Sequence, residues 1–190
     1  DQYTRADLVR QLFTGNTSSR SGARQMARAL QVVDRPSLKG CVWAELGYGS
    51  GQIFGAVRER VGPQGRLVGV ELGSGYEDFV HRITRRHLRE WGEVTLVRGT
   101  EKDCRLPADS VDIAHEAGIH VGVGTPATLE QVTIPWLLSV RRALRPGGLI
   151  ILDDCGYPTI DGVRAVMQRA GFEEVRMKLM GGHAAGGQHP

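Results

Sequence analysis

Val42-Trp43-Ala44-Glu45-Leu46-Gly47-Tyr48-Gly49-Ser50-Gly51 begins as an apolar run, meets an acid and closes on three glycines spaced two apart. Gln52-Ile53-Phe54-Gly55-Ala56-Val57 follows at once and reads as a helix. The order is strand, tight turn, helix start. Glycine tolerates positive φ and lets a ligand come close to the backbone, and the first N–H groups of a helix have no partner within it. The turn therefore reads as a ligand cradle. A dinucleotide fingerprint, G-x-G-x-x-G, needs its third glycine one residue later, where this chain has Gln52. That spacing weakens the case for a pyrophosphate ligand.

Working outward, Leu67-Val68-Gly69-Val70-Glu71 is a short apolar strand that ends in an acid about 20 residues beyond Gly51. A carboxylate there can accept hydrogen bonds from both hydroxyls of a ribose. Two more segments follow in order: Leu106-Pro107-Ala108-Asp109-Ser110-Val111-Asp112-Ile113-Ala114, and Arg142-Ala143-Leu144-Arg145-Pro146-Gly147-Gly148-Leu149-Ile150-Ile151-Leu152. Taken with E-x-G-x-G-x-G at Glu45 to Gly51, these four segments resemble the class I S-adenosylmethionine-dependent methyltransferases over roughly residues 40 to 153. The first is similar to that family's first motif, the third to its fourth strand and the fourth to its L-x-P-G-G turn and fifth strand.

The resemblance implies an α/β fold, a Rossmann-like, doubly wound and mostly parallel sheet of six or seven strands with helices on both faces. It implies S-adenosyl-L-methionine as cofactor, its amino-acid end on Gly47, Gly49 and Gly51 and its ribose on Glu71. Glu45 would support the glycine turn close to the methionine amino group. For adenine, relatives often place an acid directly after a glycine beyond strand three, whereas this chain reads Arg98-Gly99-Thr100-Glu101-Lys102-Asp103. Thr100 stands where the acid is expected, with Glu101 or Asp103 as substitutes.

Methyl transfer needs a nucleophile held in line with the sulfonium carbon and, for a hydroxyl, a base to take its proton. Ala114-His115-Glu116-Ala117-Gly118-Ile119-His120 and Asp153-Asp154 resemble an O-methyltransferase subgroup whose acids hold a divalent cation. His120 would inherit the base role and His115 a catalytic or cofactor-side role, with Asp153 and Asp154 as metal ligands. Ala117 replaces the expected aspartate, however, and cannot bind Mg²⁺, which takes hard oxygen ligands. The reading is therefore metal-free, with His115 and Asp153-Asp154 open to purely structural roles.

Alternating signals place strands at 41–46, 67–71, 94–98, 111–115 and 148–152, with helices at 5–13, 21–33, 52–61, 76–90, 136–144 and 160–170. In the second helix Met26, Leu30 and Val33 share one side. Residues 172–180 alternate well enough for a sixth strand, whereas the glycine-rich 181–190 has too little β-propensity for a seventh. With 190 residues, 41% of them hydrophobic, one core of ordinary size suffices. Residues 1–35 read as a helical cap over the cleft and 36–190 as the cofactor-binding core.

No apolar run approaches a membrane span, and Asp1-Gln2-Tyr3 lacks the features of a signal peptide. Cys41, Cys104 and Cys155 are widely separated and read as thiols in a reducing cytosol, which predicts a cytoplasmic protein. The net charge of +3 rests partly on Arg82, Arg85, Arg86 and Arg89 and on Arg20, Arg24 and Arg28, two rows at helical spacing. No aromatic residues interleave with the first row to stack bases, so solvated helix faces are the simpler account and nucleic acid is not the expected partner. A small-molecule acceptor, methylated on oxygen or nitrogen, is the leading reading. The alternatives are a protein- or RNA-directed methyltransferase, suggested by the basic rows and the turn Val61 to Arg66, or a scaffold that keeps the fold without the chemistry.

Overall fold

Every residue of β1 (Val42–Leu46) is buried, so the strand must be covered on both faces. Such continuous apolar strands belong to parallel sheets sandwiched by helices. The computed structural model describes residues 19–31, 33, 35–49, 51, 53–72, 91–117, 126–153 and 160–175. Within them β1, β2 (Arg66–Leu72), β3 (Val94–Gly99), β4 (Val111–Ala117) and β5 (Leu144–Asp153) form one sheet in the order β3-β2-β1-β4-β5. All four pairings are parallel. Five of the six or seven expected strands are thus in place. Phe172 to Val175, the described start of the expected sixth strand, are not in a strand, and 176–180 lie outside the described residues.

Side chains alternate across β1 into two cores. Val42, Ala44 and Leu46 pack with Trp136, Leu137 and Val140 of α3 (Ile134–Ala143) and Val163, Val166 and Met167 of α4 (Ile160–Arg169). Trp43 packs on the other face with Met26 and Ala29 of α1 (Ser19–Leu30) and Phe54, Val57 and Val61 of α2 (Phe54–Val61). Leu30 joins Met26 in this second core, as the helical spacing predicts, and Val33 packs there too although it lies past the end of the helix at Leu30. Helices cover both faces, which makes the sheet doubly wound. The expected helices 5–13 and 76–90 lie outside the described residues, apart from helical Trp91 just past the second.

Several boundaries differ from the sequence reading: the helix expected over 21–33 is Ser19–Leu30, and the one expected from 52 starts at Phe54. The helix expected to start at Trp136 starts at Ile134, after a helical lead-in at Pro126–Thr128 and a wider turn at Leu129–Thr133. Pro135 sits in its first turn, where the missing N–H is not needed. β5 begins at Leu144 rather than Gly148, with Leu144 opposite Val111 and a register shift before Ile113 pairs Leu149. Pro146-Gly147-Gly148, read as a turn, is instead taken up in an irregular part of the strand.

The sheet order fixes where a ligand fits. The chain leaves β1 toward β2 on one side and β4 lies on the other, so a crevice opens at the carboxyl end of β1. Register places Glu45 beside His115 and Leu46 between Val70 and Glu116 at that end.

Candidate functional site

The glycine turn begins as soon as β1 ends. Gly47 N–H donates to the Val70 carbonyl at 2.7 Å, Gly51 N–H to the Tyr48 carbonyl at 2.7 Å, and Phe54 N–H to the Gly51 carbonyl at 3.0 Å as α2 starts. Gly49 (φ 50°) and Gly51 (φ 69°) both lie in the left-handed region. A Cβ on Gly51 would come within 2.8 Å of the Trp91 ring and 2.9 Å of the Phe54 ring. Gly51 is therefore bound by packing. A Cβ on Gly49 would meet none of the described residues within 4 Å, so that side of the turn is open among them.

Glu71 closes the other wall. Its Oε2 accepts the Gly49 N–H at 2.9 Å, so the acid at the end of β2 lies against the middle of the glycine turn. Tyr48, between the two glycines, is buried, with its ring 6.0 Å from that of Phe54. It packs on Gly69, where a Cβ would stand 2.7 Å from Tyr48 Cδ1. Sequence reading gave Tyr48 no role. A glycine in mid-strand, often the mark of another group's close approach, was the signal for it.

Beneath the turn, Glu45 and His115 meet across the β1–β4 pair. His115 Nδ1 lies 3.0 Å from Oε1 and 2.8 Å from Oε2 of Glu45, and Trp43 Nε1 donates to Oε2 at 3.2 Å. His115 is 0% exposed and Glu45 3%. An ionised carboxylate only accepts, so an Nδ1–H donates to it in this pair. Glu116, the next residue, falls on the opposite face of the sheet and is also fully buried; sequence reading assigned it no role.

Thr100 builds a turn after β3. Its Oγ1 accepts the N–H groups of Asp103 at 3.0 Å and Lys102 at 3.3 Å, and its own N–H reaches the Asp103 carbonyl at 2.8 Å. The Asp103 carboxylate accepts from Arg105 N–H at 2.8 Å and Arg142 Nη2 at 3.0 Å, and Cys104 N–H donates to Ser139 of α3 at 2.9 Å. The turn is thereby fixed at the carboxyl end of β3 with Glu101 exposed on it. Asp153 ends β5 in register with Ala117. His120 and Asp154 lie outside the described residues, and among the described residues no three His, Cys, Asp or Glu side chains gather as metal ligands.

The structure therefore brings Glu45, Gly47, Gly49, Gly51, Glu71 and His115 together and sets Thr100 and Glu101 on the turn after β3. A solved S-adenosylmethionine-dependent methyltransferase from Aquifex aeolicus matches 92% of this chain and 92% of its own at a TM-score of 0.66 and 14% identity. The chain carries the class I S-adenosylmethionine-dependent methyltransferase fold. A second such structure, a possible histamine N-methyltransferase from Thermotoga maritima, covers 89% of this chain and 78% of its own at a TM-score of 0.56 and 16% identity. No family model matches the sequence. A curated relative, an uncharacterized 37.1 kDa protein in a Streptomyces fradiae transposon, is 26% identical over 144 residues. The match spans 72% of this chain and 39% of that relative. No helix among the described residues is long and apolar enough to cross a membrane.

Proposed function

We propose that the chain is an S-adenosylmethionine-dependent methyltransferase acting on oxygen or nitrogen of a small-molecule acceptor in the cytosol. The observation that carries this reading is the Glu71 to Gly49 contact, a carboxylate held at 2.9 Å from the middle of a glycine turn whose outer side is open among the described residues. A ribose diol on Glu71 and an amino-acid tail along Gly47, Gly49 and Gly51 fit that arrangement. The open side at Gly49 leaves room that any side chain there would fill.

When bound, the cofactor supplies a methyl group on a positively charged sulfur. The residues of this chain then have separable tasks. Glu71 holds the ribose, and Glu45 sets a negative charge beneath the turn near the cofactor's ammonium. The Thr100 turn, with Glu101, borders the adenine. On the acceptor side His120 takes the proton of an attacking hydroxyl. General-base help of this kind is worth roughly 10²–10⁴-fold. The match to a possible histamine N-methyltransferase supports a small acceptor.

Incubation of the protein with methyl-labelled cofactor and fractionated metabolites tests the reading. Label in a small-molecule fraction, lost in His120→Ala while cofactor affinity persists, is the expected result. Label in protein or RNA would move the acceptor class, and cofactor binding without transfer to any fraction would make the domain a scaffold.

A further inference from the structure

We infer that His115 is a positioning residue that acts on the cofactor through Glu45, holding that carboxylate oriented beneath the glycine turn. The inference rests on the proposed assignment of Glu45 to the cofactor's amino-acid end. Sequence reasoning left His115 between catalysis, cofactor contact and a structural bond. The geometry separates them. His115 is 0% exposed, its Nδ1 faces both oxygens of Glu45 at 2.8 and 3.0 Å, and its ring sits 5.7 Å from that of Trp43 at a tilt of 45°. A ring so enclosed is not placed to take a proton from an acceptor.

The pair answers a physical need. Glu45 is 3% exposed, and a carboxylate out of water is costly unless it is hydrogen-bonded. Trp43 Nε1 meets Oε2 at 3.2 Å, and His115 supplies a donor placed between both oxygens. Register fixes the donor, because Glu45 pairs with His115 across β1 and β4 and the two side chains share a face. Glu45 lies two residues before Gly47, so its carboxylate stands close to where the glycine turn begins. The backbone of β1 and the side chain of β4 are thereby joined at the one point where the cofactor's charged end would lie.

Two isosteres tell which nitrogen matters. Asparagine presents its amide N–H₂ near the place of Nδ1, whereas glutamine presents it near the place of Nε2. Calorimetric titration with S-adenosylhomocysteine should show His115→Asn within about threefold of the parent and His115→Gln weaker by about tenfold or more. In a double-mutant cycle with Glu45→Gln, the His115→Gln loss should shrink to less than about twofold, because contacting residues that act as one unit do not add. Circular dichroism and thermal melts establish that each variant is folded. If His115→Gln fails to fold, His115→Ala takes its place, with the same loss of about tenfold or more relative to His115→Asn and the same shrinkage in the Glu45→Gln background expected. Equal losses for Asn and Gln, or losses that add with Glu45→Gln, overturn the inference while leaving the cofactor assignment standing. Failure of the parent to bind S-adenosylhomocysteine overturns the assignment and the inference together.

Discussion

Gly49 and Gly69 show how much a missing side chain decides here. Gly49 has φ 50° and none of the described residues within 4 Å of where a Cβ would go, next to the Glu71 carboxylate that accepts its N–H. Gly49→Asp therefore brings a second negative charge beside Glu71 and fills the cradle. We expect a folded protein that has lost cofactor binding, read as an intact thermal transition with no calorimetric signal for S-adenosylhomocysteine. Gly69→Ala puts a methyl 2.7 Å from Tyr48 and 3.0 Å from both Leu96 and Phe54, so the ring beneath the turn must move. Overpacking of this kind costs about 1–3 kcal/mol, and the melting temperature should fall accordingly. At this scale the sequence was legible wherever chemistry demands a residue type. The glycines and Glu71 belong to a spaced motif. The Glu45–His115 pair depends on register between strands whose paired residues are 70 apart, which no local pattern encodes, and Tyr48 was signalled only indirectly, by the glycine at 69 on which it packs. Thr100 is the reverse case: spacing placed it at the site, whereas its hydroxyl holds the N–H groups of its own turn.

Arg58 binds elements that sequence reading treated one by one. Its guanidinium donates to the carbonyls of Trp91 (2.8 Å), Gly62 (3.1 Å), Gly65 (2.9 Å) and Glu93 (3.0 Å). It thus joins the end of α2 to the turn before β2 and the approach to β3. Arg58→Leu leaves four carbonyls without this donor. With hydrogen bonds to charged groups worth about 1.5–3 kcal/mol each and water replacing some, a loss of about 2–4 kcal/mol in denaturant unfolding is expected. Helix and strand types were readable because apolar periods of 3.6 and 2 differ. Boundaries were less so. Pro135 and the Pro146 to Gly148 run are local breakers, and tertiary pairing carried helix and strand through them, with β5 gaining its first residues from the bond network with β4.

At the scale of the whole molecule, the described residues form a sheet covered on both faces, and α1 contributes to one cover through Met26 and Ala29, both buried in the cluster of Trp43, Ile113 and Ile151. Residues 1–35 were read as a cap over the cleft, and the segment before Ser19 lies outside the described residues. The described part packs on the sheet. Met26→Ala should therefore cost about 2–5 kcal/mol, as for other buried methionines, in an equilibrium unfolding experiment. Fold class was legible from four motifs in order, because a glycine turn, an acid-ended strand and a strand after P-G-G make sense together only in a doubly wound sheet. The acceptor was not. The residue proposed to act on it, His120, lies outside the described residues. The central claim concerns the cofactor, and direct titration tests it. The parent protein should bind S-adenosylhomocysteine at one site, with affinity falling at least about tenfold in Glu71→Ala, since the ribose bonds to a charged carboxylate are worth about 1.5–3 kcal/mol each. Absence of binding by the parent, an unchanged affinity in Glu71→Ala, or tight binding of NAD in place of S-adenosylhomocysteine would contradict it.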